Sequence, residues 1–250
     1  MQILVPESQL PNALSEASTN KLKIVEDIQN ILKATQISDD KENVKDLKNS
    51  TESCHKPIHK HTPFPGISEL LPSLYLCGAG VAMPQILDQL EVRFIINVAP
   101  ELPDTPLSSI TKPLYLRINA SDRPDVDLAA HFDEVADMIE EVRQLGGKSL
   151  VHCVAGVSRS ASLCIAYLIK HASMSLREAY LHVKSIRPQI RPNTGFFQQL
   201  RQYEEQLHGR CTVQMVFYES LNKEIPDVYE PEYKAMEEFY QRQRKALKRR

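Results

Sequence analysis

Hydrophobic and polar positions divide this chain into three stretches of different character. Residues 1–62 are rich in Ser, Asn, Lys and Asp and contain no Phe, Tyr or Trp. Such a segment cannot bury enough apolar surface to offset the entropy of ordering, so this leader is predicted to be mostly disordered. Residues 63–208 combine short apolar runs with helical periodicity, which predicts one folded domain. Residues 209–250 form an extension whose last nine positions include six basic residues and no acidic one.

Within residues 63–208, short apolar runs alternate with stretches in which apolar residues recur every three or four positions. The short runs predict strands at residues 67–71, 74–77, 94–98, 114–118 and 148–152. The periodic stretches predict helices at residues 83–90, 128–142, 160–170, 175–186 and 194–207. Strands that alternate with helices predict an α/β fold, in which helices cover a central, mostly parallel sheet on both faces.

Residues 152–160 read HCVAGVSRS and lie between a predicted strand and a predicted helix. Backbone N–H groups converge at such a junction and the helix dipole adds positive potential, so the junction favours an anion. A thiol placed there, that of Cys153, loses its proton more readily than a free cysteine does. Gly156 allows the backbone to approach a ligand closely, and the fork of Arg159 matches two phosphate oxygens. A lone cysteine at a strand end is otherwise a small buried hydrophobe, but the polar loop favours the reactive interpretation.

The spacing His-Cys-x-x-Gly-x-x-Arg resembles the signature loop of the protein tyrosine phosphatases, and the ending Ser-Arg-Ser resembles their dual-specificity branch. The order of elements from residue 66 to about 208, and parts of the tail, are similar to the small atypical members of that branch. The resemblance implies a protein tyrosine phosphatase-like fold, in which Ser160 bonds the sulfur, His152 holds the loop and Asn193 caps a helix or braces the loop. The implied phosphate-binding positions are Val154, Ala155, Gly156, Val157, Ser158 and Arg159.

Breaking a phosphate ester through a cysteine also needs a general acid for the leaving oxygen. Asp122 follows the predicted strand at 114–118 and precedes the cysteine by 31 residues, and the resemblance places a general acid in a comparable loop. The nearby Asp125, Asp127 and Asp133 are rivals, although Asp127 is predicted to be the N-cap of the next helix and Asp133 lies inside it. The predicted reaction passes through a phosphocysteine and requires no metal and no organic cofactor.

The loop and the charge of the domain restrict the substrate class. The loop carries no lysine of the kind that phosphoinositide phosphatases place there, and residues 63–208 have a formal net charge of −3, which argues against nucleic acid as a partner. The resemblance therefore implies phosphoprotein substrates carrying phosphotyrosine and phosphoserine or phosphothreonine, with members of MAP kinase pathways as one candidate class. The chain has no room for the rhodanese-like targeting domain of the larger MAP kinase phosphatases, so the substrate stays open. A catalytically weak phosphoprotein-binding scaffold is the alternative function.

Cysteine usage and hydropathy favour a reducing compartment. The five cysteines show no paired spacing, which argues against a disulfide framework, and no apolar run approaches the roughly 20 residues that span a bilayer. A cytoplasmic location is expected. The basic segment at 242–250 is interpreted as a solvated helix end or, next, as a nuclear-import signal. In the leader, Cys54, His55, His59 and His61 fit no four-ligand zinc pattern, so no metal site is predicted. The oligomeric state is left open.

Overall fold

The structure is a computed structural model, and it describes residues 64–247. The predictions made for the leader at residues 1–62 lie outside the described residues, as do the last three residues of the basic end.

A five-stranded sheet forms the centre of the domain. Its strands are β1 Ser68–Leu71, β2 Leu74–Gly78, β3 Val92–Asn97, β4 Leu114–Arg117 and β5 Lys148–Cys153, arranged in the order β1-β2-β5-β3-β4. The β1–β2 pair is antiparallel, whereas β5 pairs in parallel with β2 and β3, and β3 pairs in parallel with β4. The predicted α/β class with a mostly parallel sheet is confirmed, and β5 occupies the centre of the sheet.

Five helices belong to the predicted domain: α1 Pro84–Gln89, α2 Phe132–Gln144, α3 Arg159–His171, α4 Leu176–Ile186 and α5 Thr194–His208. Each lies within a few residues of its predicted bounds. The prediction that Asp127 caps the next α-helix is wrong, because a 3₁₀ turn at Ala129–His131 precedes α2 and His131 is the N-cap. The Asp127 carboxylate instead accepts a hydrogen bond from the N–H of Ala130 at 3.1 Å, within that turn.

Helices cover the sheet on both faces, as the pattern predicted. On one face, Tyr75, Cys77 and Leu150 share an apolar cluster with Leu87 of α1. Because side chains alternate along a strand, the neighbouring positions of β2, β3 and β5 point to the opposite face, where α2 and α3 contact the sheet. Helix α3 is buried from Arg159 to Ile169, and each large apolar side chain buried there contributes roughly 1.5–3 kcal/mol to stability.

The extension after residue 208 has secondary structure of its own. It contains a hairpin of β6 Met215–Tyr218 and β7 Lys223–Pro226, and the last helix is α6 Glu230–Leu247. Between them, the buried Tyr229 donates a hydrogen bond from its hydroxyl to the carbonyl of Pro192 at 2.7 Å. Within the described residues, no helix has the length and apolar character needed to cross a bilayer.

Candidate active site

Cys153 is the last residue of β5, and the loop after it turns directly into α3. Its side chain is buried, and its Sγ accepts a hydrogen bond from the Ser160 hydroxyl at 3.1 Å. Burial alone would raise the pKa of the thiol, but this hydroxyl together with the backbone N–H groups of Ser160, Val157 and Gly156 lowers it below its usual value. The structure thus shows the converging donors that the sequence predicted around a thiolate.

The loop depends on glycine at position 156. Gly156 has φ of +66°, a conformation that disfavours side chains with a Cβ. A Cβ at this position would also overlap the backbone carbonyl of Cys77 in the neighbouring strand β2. Both restrictions follow from the tight course of the loop, which keeps Gly156 buried while Val154 and Ala155 form its exposed outer part.

Arg159 begins α3, and its guanidinium is held by a carboxylate far away in sequence. Its Nη2 lies 2.5 Å from one carboxylate oxygen of Glu101 and its Nη1 lies 2.8 Å from the other, while Nη1 also donates to the carbonyl of Ala120 at 3.2 Å. The Arg159 side chain is 4% exposed and that of Glu101 is 45% exposed. The Nε of Arg159 is buried without a hydrogen-bond partner among the described residues. An anion in the loop could accept the hydrogen of this Nε.

Asp122 is tied to the loop through a three-residue hydrogen-bond network. Its Oδ1 accepts hydrogen bonds from the Ser158 hydroxyl at 2.7 Å and from the Asn193 side-chain amide at 2.8 Å. The backbone N–H of Asn193 donates to the Ser158 hydroxyl at 3.1 Å, and the Asn193 carbonyl oxygen caps α5 by accepting from the N–H of Phe196 at 3.0 Å. Asn193 therefore has both of the roles that the sequence left open: it caps α5 and it braces the loop. With Oδ1 occupied by two donors, Oδ2 is the oxygen that can carry a proton.

The segment after Asp122 rests on the beginning of α5. The side-chain amide of Gln199 donates to the carbonyl of Val126 at 2.8 Å, and its oxygen accepts from the N–H groups of Leu128 at 2.9 Å and Ala129 at 2.8 Å. A Cβ on Gly195 would overlap the carbonyl of Pro124, so the two backbones approach too closely for any other residue. These contacts fix the position of the Asp122 segment relative to the loop.

His152 is buried immediately before the cysteine, where it contacts a second loop. Its Nε2 lies 2.7 Å from the hydroxyl of Thr105, and burial lowers its pKa below the usual value. The ring is therefore held neutral. The contact with the threonine hydroxyl connects the end of β5 to the segment that carries Thr105.

Residues 74–206 match the family model described as "Dual specificity phosphatase, catalytic domain". The chain belongs to the dual-specificity phosphatase family. Human "Dual specificity protein phosphatase 18" is 41% identical over 186 residues, which cover 74% of this chain and 96% of that protein. Human "Dual specificity protein phosphatase 14" is 44% identical over 168 residues, or 67% of this chain and 82% of that protein. The crystal structure of human DUSP28 is 36% identical, with a TM-score of 0.54, and covers 57% of this chain and 98% of that chain.

These relatives confirm the resemblance to the atypical members of the branch, among which we expected dual specificity protein phosphatase 14 to be particularly similar. The chain is accordingly an enzyme, a dual-specificity protein phosphatase. Among the described residues, no group of three or more His, Cys, Asp or Glu side chains is arranged to hold a metal ion.

Three residues that contact this phosphatase loop or its supports were missed in the sequence. Glu101 holds Arg159, Gln199 holds the segment after Asp122, and Arg187 donates to the loop carbonyls of Ala155 and Gly156. Glu101 could have been found, because it follows the end of β3 and the carboxyl ends of parallel strands meet at one edge of a sheet. Arg187 and Gln199 gave no signal, because each lies on a helix or at its end among ordinary polar positions.

Proposed function

We propose that Cys153 is the nucleophile of this phosphatase and that Asp122 is its general acid. The Cys153 thiolate attacks phosphorus and forms the S–P bond, while the bond from phosphorus to the side-chain oxygen of the substrate breaks. Asp122 gives the proton on its Oδ2 to that departing oxygen. The loop N–H groups of residues 154–159 and the unpartnered Nε of Arg159 stabilise the charge that spreads over the other three oxygens.

The second step returns the enzyme to its starting state. Asp122, now a carboxylate, takes a proton from water, and the resulting oxygen nucleophile attacks the phosphocysteine. The S–P bond breaks, inorganic phosphate leaves, and the electron pair returns to the sulfur as a thiolate. The hydrogen bond from the Ser160 hydroxyl to the sulfur stabilises this thiolate and makes it a better leaving group.

One observation carries this proposal: the buried sulfur of Cys153 accepts a hydrogen bond from the Ser160 hydroxyl and faces the backbone N–H groups of Ser160, Val157 and Gly156. Burial works against the thiolate, so the donors around it must outweigh the desolvation. A cysteine that served only to fill the core has no need of three backbone N–H groups and a hydroxyl pointing at its sulfur. Cys164, which is buried in α3, shows the contrast, because burial strongly raises its pKa.

We further infer that the substrates are phosphoproteins, with members of MAP kinase pathways as one candidate class, and that the protein acts in signalling in the cytoplasm and the nucleus. Support comes from the family membership and, for the nucleus, from the basic residues near the C-terminus. Turnover of a doubly phosphorylated MAP kinase activation-loop peptide should exceed that of unrelated phosphopeptides of equal charge. Equal rates on both peptide sets would remove the MAP kinase assignment while leaving the phosphatase assignment intact.

Hydrolysis of a small aryl phosphate without added metal tests the residue roles. Cys153→Ser should abolish turnover, and Asp122→Asn should slow it by at least ~10²-fold, the low end for general acid catalysis. Asp125→Asn is the matched control, because this neighbouring aspartate pairs with the exposed Arg123 and should leave the rate near wild type. An Asp125→Asn variant that is as slow as Asp122→Asn would contradict the assignment of the acid.

The scaffold function remains a defined outcome of the same experiment. Well-folded wild-type protein that binds inorganic phosphate or vanadate but turns over no aryl phosphate and no phosphopeptide would act as a phosphoprotein-binding module. The loop would then hold phosphate without the displacement step. The Cys153→Ser variant would in that case bind phosphate about as well as wild type.

A further inference from the structure

The phosphate loop has a second face that the reaction does not use. Its N–H groups point inward to the sulfur, so its carbonyl oxygens must point outward, and buried carbonyls need donors. Two of them are served by backbone: Val154 accepts from the N–H of Ala79 at 3.1 Å, and Val157 accepts from the N–H of Arg191 at 2.9 Å. A third, that of Ser158, accepts from Ser162 inside α3.

The remaining two carbonyls of the loop, those of Ala155 and Gly156, are served by one side chain. Arg187, the C-cap residue directly after α4, donates from Nε to the carbonyl of Gly156 at 2.7 Å and from Nη2 to that of Ala155 at 3.0 Å. Its Nη1 reaches the carbonyl of Gly66 at 2.9 Å. The planar guanidinium therefore binds two successive loop peptides at once and joins them to the chain before β1, a geometry that a lysine cannot reproduce.

Arg187 is a buried cation without a carboxylate partner. It is 5% exposed, and no carboxylate among the described residues lies within ion-pair distance of it. Burial lowers its pKa, whereas nearby thiols, those of Cys77, Cys153 and Cys164, raise it when ionised. A buried charge is normally paired, and here the negative charge that can pair with it forms at Cys153.

The other groups that face the sulfur are either already paired or neutral. Arg159 and Ser160 of α3 contribute a charge and a hydrogen bond, and the charge of Arg159 is shared with Glu101 and Asp122. From β2 and α3, Cys77 and Cys164 are buried thiols whose pKa burial raises, to about 12 for Cys77, so both remain neutral. Arg187 is thus the cation behind the loop that is not already neutralised by a carboxylate.

We propose that Arg187 is a positioning residue for the phosphatase reaction. Its side chain fixes the outward carbonyls of the loop, so that the N–H groups of the loop face the sulfur. Its positive charge favours the Cys153 thiolate. The proposal rests on the proposed role of Cys153 as nucleophile. Arg187 does not touch the reacting atoms, because it acts through the peptides of Ala155 and Gly156.

Alkylation of Cys153 by iodoacetamide as a function of pH tests the proposal without requiring turnover. Mass spectrometry of the Cys153 peptide separates its reaction from that of the other cysteines, and the pH midpoint reports the thiolate. Arg187→Gln should raise this midpoint by about one unit, the usual spread of perturbed pKa values in proteins. Arg187→Lys, which keeps a charge but loses the fork, should raise it less and should weaken binding of inorganic phosphate by roughly 10-fold, as expected when charge-assisted hydrogen bonds are lost.

Arg201→Gln is the matched control, because Arg201 also donates to a backbone carbonyl, that of Val213 at 2.8 Å, away from the loop. Its midpoint should equal that of wild type. A folded Arg187→Gln variant with the wild-type midpoint would overturn the proposal. If that variant does not fold, a folded Arg187→Lys variant that binds phosphate as tightly as wild type would overturn it. Because alkylation needs no general acid, a failure here is distinct from a failure of the turnover experiment.

Discussion

At the scale of single residues, one charge of the site, that of Arg159, is already paired with a carboxylate in this structure. Arg159 is buried, and it is held in a fixed orientation by the two carboxylate oxygens of Glu101. The guanidinium keeps the pKa of the Glu101 carboxyl below its usual value. The pairing leaves Nε of Arg159 without a hydrogen-bond partner among the described residues, so the arginine is oriented through one edge while the other edge is available to an anion. Preorganisation of this kind lowers the entropic cost of binding the anion.

Glu101→Gln should therefore weaken phosphate binding while leaving the thiol chemistry intact. A glutamine can accept one hydrogen bond from Arg159 but cannot hold its fork, so the inhibition constant for inorganic phosphate should rise roughly 10-fold, as expected when about 1.5 kcal/mol of charge-assisted hydrogen bonding is lost. Competitive inhibition of aryl phosphate hydrolysis measures this effect. Glu91→Gln is the control, since Glu91 pairs with Lys148 at the opposite end of β5. Equal inhibition constants for wild type and Glu101→Gln would show that Arg159 orients itself without Glu101.

At the scale of elements, the site joins the carboxyl end of β5 to the beginnings of α3 and α5. Three of the residues that the sequence analysis identified, Cys153, Arg159 and Ser160, lie within one local strand–loop–helix motif, whose chemistry can be recognised in consecutive residues. The supports could not be identified in that way, because their contacts are long-range. Arg159 and Glu101 are 58 positions apart, and Gln199 and Val126 are 73 positions apart. The packing of α5 brings Gln199 to Val126, whereas Glu101 lies near Arg159 because β3 and β5 are neighbouring parallel strands.

Because α5 contacts the Asp122 segment through Gln199, we expect that a substitution of Gln199 affects protonation of the leaving group and no other step. Gln199→Met removes all three hydrogen bonds of the glutamine to that segment, so Asp122 should no longer be held in one position. Turnover of phosphate esters with poor leaving groups should then fall about 10-fold or more, within the range that a general acid supplies. Esters with good leaving groups, which need little protonation, should react almost normally, and so should Cys153 with iodoacetamide.

Steady-state rates across a series of phenyl phosphates measure the sensitivity of Gln199→Met to the leaving group. Gln198→Met, one residue earlier, loses only a contact with Arg201 and serves as the control. A uniform loss of rate across the whole series would mean that Gln199 supports the entire loop, and the assignment of Gln199 to the general-acid segment would be wrong.

At the scale of the whole molecule, the family domain and the extension form a continuous packing unit. The family model ends at residue 206, yet Tyr229 lies well beyond it and packs its ring at 5.3 Å from that of Phe197 and 5.6 Å from that of Tyr180. The guanidinium of Arg191 lies over the rings of Tyr229 and Tyr233. The backbone N–H of Arg191 donates a hydrogen bond to the carbonyl of Val157 in the loop. The sequence could not show this contact, because aromatic residues in an extension do not indicate which residues they pack against.

Removing the hydroxyl of Tyr229 should destabilise the domain as a whole. Tyr229→Phe keeps the ring but leaves the carbonyl of Pro192 without its donor, so the free energy of unfolding should fall by roughly 1–3 kcal/mol, the cost of a buried unsatisfied group. Urea unfolding followed by tyrosine fluorescence and by circular dichroism measures this loss. Tyr180→Phe is the control from the same ring cluster, because its buried hydroxyl has no hydrogen-bond partner among the described residues and its removal should be neutral or stabilising. Coincident transitions shifted together in Tyr229→Phe indicate one cooperative unit, whereas an early separate transition would show that the extension unfolds independently and does not support the loop.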